Sequence, residues 1–149
     1  MSTGPDPYSL QRFVDAQDGI FDAALSELRN GSKRSHWMWF IFPQIAGLGQ
    51  SPTSRHYAIR SLEEASAYLD HPLLGGRLRE SVEAVLGWVG KRDAVAIFGP
   101  LDAMKLRSSL TLFHAAGPVE PAFSRALDAF FDSPDPETVR LLGMLRSNG

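Results

Sequence analysis

The 149-residue sequence contains no cysteine, which excludes disulfides, thiolate zinc sites and thiol nucleophiles. No apolar run approaches the ~18 residues of a membrane span. The opening Met-Ser-Thr-Gly-Pro-Asp-Pro has neither the basic start nor the apolar stretch of a signal peptide. A soluble cytoplasmic protein with no membrane partner is expected. A further absence is local. Residues 29–60 hold no Asp or Glu beside Arg29, Lys33, Arg34, Arg55 and Arg60, a net charge of +5, whereas residues 1–28 carry −4 and residues 61–149 carry −3. The four histidines, His36, His56, His71 and His114, include no pair at the i, i+3 or i+4 spacing of helical ligands, so no metal is expected.

What is present has a helical period. Leu10, Phe13, Val14, Gln17, Phe21, Ala24, Leu25 and Leu28 recur at spacings of three and four and read as one amphipathic helix ended by Asn30-Gly31. Ser61-Leu62-Glu63-Glu64 reads as a capping box, and Pro72 suits a first helical position. Leu74, Leu78, Val82, Val85 and Val89 mark the next stripe. Asp102 is placed to cap a helix reaching Gly117, and further helices follow Pro121 and Asp135-Pro136. The run His36–Phe42 is too short for periodicity to tell strand from helix; lacking a second strand to pair with, it reads as a buried helix entering a loop. The expectation is an all-α, single multihelical domain over residues 1–149, of six to eight helices, with no significant sheet and a flexible N-terminus over residues 1–7.

Two segments carry candidate chemistry. The first runs from Lys33 to Tyr57. It combines the acid-free charge with Trp37, Trp39 and Gln44, and with a loop in which Gly47 and Gly49 allow close backbone approach. Ser51 reads as an N-cap before Pro52, which leaves the N–H groups of residues 53 and 54, among them Ser54, to face an anion beside Arg55. The bland alternative is that the glycines only shape a turn and Ser51 only caps its helix. The second segment is the helix face of Asp102, Lys105, Ser108 and Ser109. Lysine beside hydroxyls is the raw material of Ser–Lys chemistry; small hydroxyls also simply allow close helix packing, and Asp102 with Lys105 makes a surface pair worth little.

The residues Leu-Gln-Arg-Phe-Val-Asp-Ala-Gln (10–17), Lys-Arg-Ser-His-Trp-Met-Trp-Phe-Ile-Phe-Pro-Gln (33–44), Gly-Leu-Gly-Gln-Ser (47–51), Tyr-Leu-Asp-His-Pro-Leu-Leu-Gly-Gly-Arg-Leu (68–78), Ile-Phe-Gly (97–99) and Lys-Leu-Arg-Ser-Ser-Leu-Thr-Leu-Phe (105–113) resemble a bacterial family, the domain of unknown function 1810. The likeness covers nearly the whole chain and implies an all-helical, cytoplasmic protein without assigning an activity. The label calpastatin sometimes given to this family does not suit a globular chain, because inhibitor repeats of that kind are disordered. A fainter similarity, in the aromatic segment, the turn at Leu74 to Arg77 and the Lys105 helix, points to families that process NAD-derived or ADP-ribose compounds. Gly76 interrupts that turn and no catalytic motif carries over, so the likeness only ranks ligands.

Together these readings predict one pocket for a small anionic, nucleotide-like ligand. Trp37 or Trp39 would stack on its base, Arg55 and the residues after Ser51 would hold phosphate, and His36, Gln44, Lys105 and Ser109 would add polar contacts. Were there catalysis, His36 or His56 would be the acid or base. Five bases at a pI of about 6.1 are a thin footprint for nucleic acid, which is not expected as a partner. The alternative function is a protein–protein interaction module or homodimer using an exposed aromatic patch near residues 37–42.

Overall fold

The computed structural model describes residues 5–147. Ten helices lie among them: α1 (Gln11–Gln17), α2 (Phe21–Arg29), α3 (Met38–Ile41), α4 (Pro52–His56), α5 (Leu62–Asp70), α6 (Leu74–Leu86), α7 (Ala94–Phe98), α8 (Pro100–Ala116), α9 (Pro121–Phe131) and α10 (Pro136–Ser147). No strand is found among the described residues; a single parallel bridge joins Ile45 to Ile59. The all-helical class agrees with the sequence, but ten helices exceed the expected six to eight.

Two local features account for the excess. The stripe from Leu10 to Leu28 is not one helix. Asp18 is extended and Gly19 takes φ +73°, so the chain turns between α1 and α2 while Phe13, Gln17, Phe21, Ala24, Leu25 and Leu28 all still face the core. A short helix, α7, also precedes Gly99, started by Asp93, whose carboxylate accepts the Ala96 N–H at 2.7 Å.

The helix starts differ in detail from the sequence reading. Ser61 accepts the Glu64 N–H as a cap should, at 3.0 Å. Glu64, however, turns to the Arg60 N–H and the Arg12 guanidinium, at 3.0 and 2.7 Å, rather than back to Ser61. Pro72 is not the first residue of α6; His71 Nδ1 accepts the Leu73 and Leu74 N–H groups in front of it. Asp102 lies inside the first turn of α8, whose cap is Gly99. Residues 1–4 of the expected flexible N-terminus lie outside the described residues, and Asp6 accepts the Leu10 and Gln11 N–H groups at 2.8 and 3.0 Å.

Helix α8 is the centre of the fold. Ser108 to Phe113 are buried at every successive position, which requires cover on all sides of the helix. That cover comes from α5, α7, α9 and α10, while α6 packs on α2, α5 and α9. Trp37, Met38, Ile41, Phe42 and Ile45 are all buried in the same core, each such side chain contributing about 1.5–3 kcal/mol. The exposed aromatic patch expected at residues 37–42 is therefore not formed; only Trp39 and Phe40 there remain half-buried.

Candidate functional site

The bridge fixes the site. Ile59 donates its N–H to the Gln44 carbonyl and Ala46 donates to the Ile59 carbonyl, both at 2.8 Å, which ties off the loop carrying α4. Arg12 of α1 secures the end of that loop, donating to the His56 and Ala58 carbonyls at 2.8 and 2.9 Å. Folded this way, the loop sets Arg55, Tyr57 and Arg60 around a cleft of about 240 Å³ that Trp39, Gln44, Gly47, Gly49 and Ser54 complete. No carboxylate lines this cleft among the described residues. Arg55 reaches only Gln50 Oε1, at 3.1 Å, and neither Arg55 nor Arg60 has an ion-pair partner among the described residues.

Trp39 is also a wall of a second cleft, of about 430 Å³, with Lys33, His36, Asp102 and Lys105. There Lys105 Nζ sits 4.9 Å from the Trp39 ring centroid and 3.4 Å from Asp102 Oδ1. Asp102 Oδ2 holds Lys33 at 2.9 Å. Lys105 continues into a third cleft, of about 370 Å³, which shares Gln44, Gly49 and Ser54 with the first and adds Leu101, Met104, Ser108, Asp135 and Glu137. The tryptophan segment, the glycine loop and the Lys105 helix thus meet in space.

Several expected site residues take other work. Trp37 does not face a cleft: it is buried, its indole donates to Glu27 Oε1 at 3.0 Å, and Lys33 Nζ lies 5.0 Å from its ring. At the start of α4 the Ser54 N–H is not open to an anion, because Ser51 Oγ accepts it at 3.1 Å and donates to Ser54 Oγ. Gly49 is glycine because a Cβ there would overlap the Ser54 side chain, a demand of the loop's own packing. Ser108 lines the third cleft but its hydroxyl is engaged with Thr138 Oγ1 at 2.7 Å. Ser109 lines none of the three clefts; its buried hydroxyl has no partner among the described residues, so neither serine is coupled to Lys105. His36 belongs to the second cleft and His56 to a separate one with Arg12, Arg60 and Glu64, so the two candidate histidines do not converge.

The acid-free segment is acid-free only along the chain. Glu27 of α2 accepts the Arg34 and Ser35 N–H groups, the Ser35 hydroxyl and the Trp37 indole N–H. Burial works against its ionisation, but the Ser35 hydroxyl, the Arg34 N–H and the other donors outweigh it and lower its pKa from the usual 4.5 to about 2. Asp102 in turn neutralises Lys33. Of the five bases in that block, Arg55 and Arg60 are the two that line the first cleft, and Arg60 also borders the separate cleft that holds Glu64. Arg60 and Tyr57 were in the acid-free block but carried no site signal of their own, and Asp135 and Glu137 carried none either; only the Ile45–Ile59 bridge and the α8–α10 packing bring them in.

Among the described residues no group of three His, Asp or Glu side chains converges as a metal site. Nor is any helix among them long and apolar enough to cross a membrane. A comparison with curated proteins found no match. Among solved structures, the chain is similar to the conserved hypothetical protein Rv1873 from Mycobacterium tuberculosis, determined at 1.38 Å. The two share 48% identity with a TM-score of 0.89, over 93% of this chain and 99% of that one. Residues 7–142 also match the pattern of a whole family, and the chain belongs to it: the family described as Protein of unknown function (DUF1810).

Proposed function

We propose that the protein is a single-domain, cytoplasmic binder of a small phosphorylated, nucleotide-like ligand, of the NAD or ADP-ribose kind. The observation that carries this is the acid-free cleft in which Arg55 and Arg60 stand without carboxylate partners beside Trp39 and Tyr57. Guanidinium groups match phosphate oxygens in planar, two-pronged hydrogen bonds. Aromatic walls supply apolar surface for a base, and Lys105 already covers part of the Trp39 ring. Ligand pockets commonly span about 300–1,000 Å³. The first cleft, at about 240 Å³, falls below that range. The adjoining clefts of about 370 and 430 Å³ extend it to accommodate more than a phosphate and one ring. No nucleophile–base pair lines the first cleft among the described residues, so the reading is one of binding and assigns no bond made or broken.

Thermal unfolding against NAD, ADP-ribose, AMP, sugar phosphates and inorganic anions tests it. A ligand at 100 times its Kd adds about 2.7 kcal/mol and raises Tm by several degrees. A selective rise is expected that Arg55→Ala and Arg60→Ala each remove. No rise with any compound at millimolar concentration overturns the reading and favours the alternative of a partner or second copy. That alternative has its own support in Leu101 and Met104, 76% and 68% exposed beside the clefts.

A further inference from the structure

The third cleft gives the ligand a direction. Resting on the binding reading above, we infer that the Lys105–Asp135 end of the cavity takes the vicinal diol of a sugar, so that the ligand is a ribosyl phosphate with its phosphate at Arg55 and Arg60. The two ends adjoin, since Gln44, Gly49 and Ser54 line both clefts. The Gln44 side-chain amide makes no hydrogen bond among the described residues and stands at this waist.

The chemistry of the far end selects the group. Asp135 spends Oδ2 on the Thr138 N–H and hydroxyl, at 2.9 and 2.6 Å, which fixes the carboxylate. Its Oδ1 makes no bond among the described residues and remains an acceptor on the cleft wall. Lys105 lines the same cleft, but its Nζ rests at the second cleft, 3.4 Å from Asp102 and over the Trp39 ring, so it serves the Asp135 side by swinging on its flexible stem, with donors to offer there. A fixed acceptor and an adjustable donor lining one cleft suit two adjacent hydroxyls, one donating to Asp135 and one accepting from Lys105. A second phosphate would meet Asp135 and Glu137, and a free ammonium would meet Lys105. An apolar group would leave both polar side chains desolvated and unpaired.

Calorimetric titration of the full chain with ribose 5-phosphate, 2-deoxyribose 5-phosphate and inorganic phosphate decides it. Ribose 5-phosphate is expected to bind about ten-fold more tightly than its 2-deoxy analogue, the loss of one hydrogen bond to a charged group. Asp135→Asn is expected to shrink that ratio to below about two-fold. Because Asp135 also caps α10, Lys105→Met, which leaves that cap in place, removes the other partner of the diol and should weaken ribose 5-phosphate binding, and the comparison of the two sugars on the unaltered protein stands without any variant. Equal affinity for both sugars, with both weakened by Arg60→Ala, overturns the diol assignment and leaves phosphate binding standing. No heat with any of the three overturns both.

Discussion

Trp37 and Trp39 stand two residues apart and meet opposite surroundings. Around Trp37 the polar groups that converge on Glu27 and Asp102 are answered within the chain. The indole, the Ser35 hydroxyl and two backbone N–H groups converge on Glu27, and Lys33 lies between Asp102 and the Ser35 carbonyl. Around Trp39 the answers are missing. Arg55, Arg60 and Gln44 face a cleft without a carboxylate. A set of donors satisfied internally holds a fold together, whereas donors left beside an aromatic wall keep their interaction free energy for a ligand. The same residue types, adjacent in sequence, are thus divided between structure and binding by which helix lies opposite.

The comparison breaks most sharply at Trp37 itself. Trp37→Ala is expected to cost about 3–5 kcal/mol, since it empties a buried site and removes one of the four donors to the Glu27 carboxylate. Trp39→Ala should cost under about 2 kcal/mol of stability while abolishing ligand-induced stabilisation. Urea unfolding of both variants measures the contrast, and equal losses would erase it.

Acid is the next probe. Folding lowers the Glu27 pKa from 4.5 to about 2, so its contribution is complete above pH 4.5 and is lost as the pH falls towards 2. Unfolding curves across that window should show a pH dependence that Glu27→Gln reduces. Ser51→Ala removes the cap of α4 and should cost about 1 kcal/mol, read as a small drop in Tm. The smallest stability effect belongs to the cleft arginines. Arg55→Ala and Arg60→Ala should each stay within about 0.5 kcal/mol of the parent; a large loss would mean that they hold the loop instead of facing a ligand.

Much of the fold was legible because burial imposes a period on sequence. Phe13, Phe21 and Leu28 announced a helical face, and Ser51 and Ser61 announced their helix starts. The break at Gly19 was hidden because α1 and α2 keep the same face inward on both sides of the turn. The short α7 was hidden because five residues are too few to establish a period. For the site, Trp39, Gln44, Arg55 and Lys105 were visible as residue types that composition set apart. Glu27 was not, because its partners lie in a different element and nothing periodic links them. The charge map counted bases and acids along the chain, and folding brought Glu27 and Asp102 to bases from elsewhere in it.

The Ile45–Ile59 bridge has a consequence for motion. Two backbone hydrogen bonds and the Arg12 clasp on the His56 and Ala58 carbonyls hold the segment that forms one wall of the cleft. The helices that pack against α8, namely α5, α7, α9 and α10, lie outside that segment. Its opening is therefore a local event, cheaper than global unfolding. The amides of Ala46 and Ile59 are its natural reporters in hydrogen exchange, and a ligand gripped by Arg55 and Arg60 would slow their exchange before it touched the amides of α8.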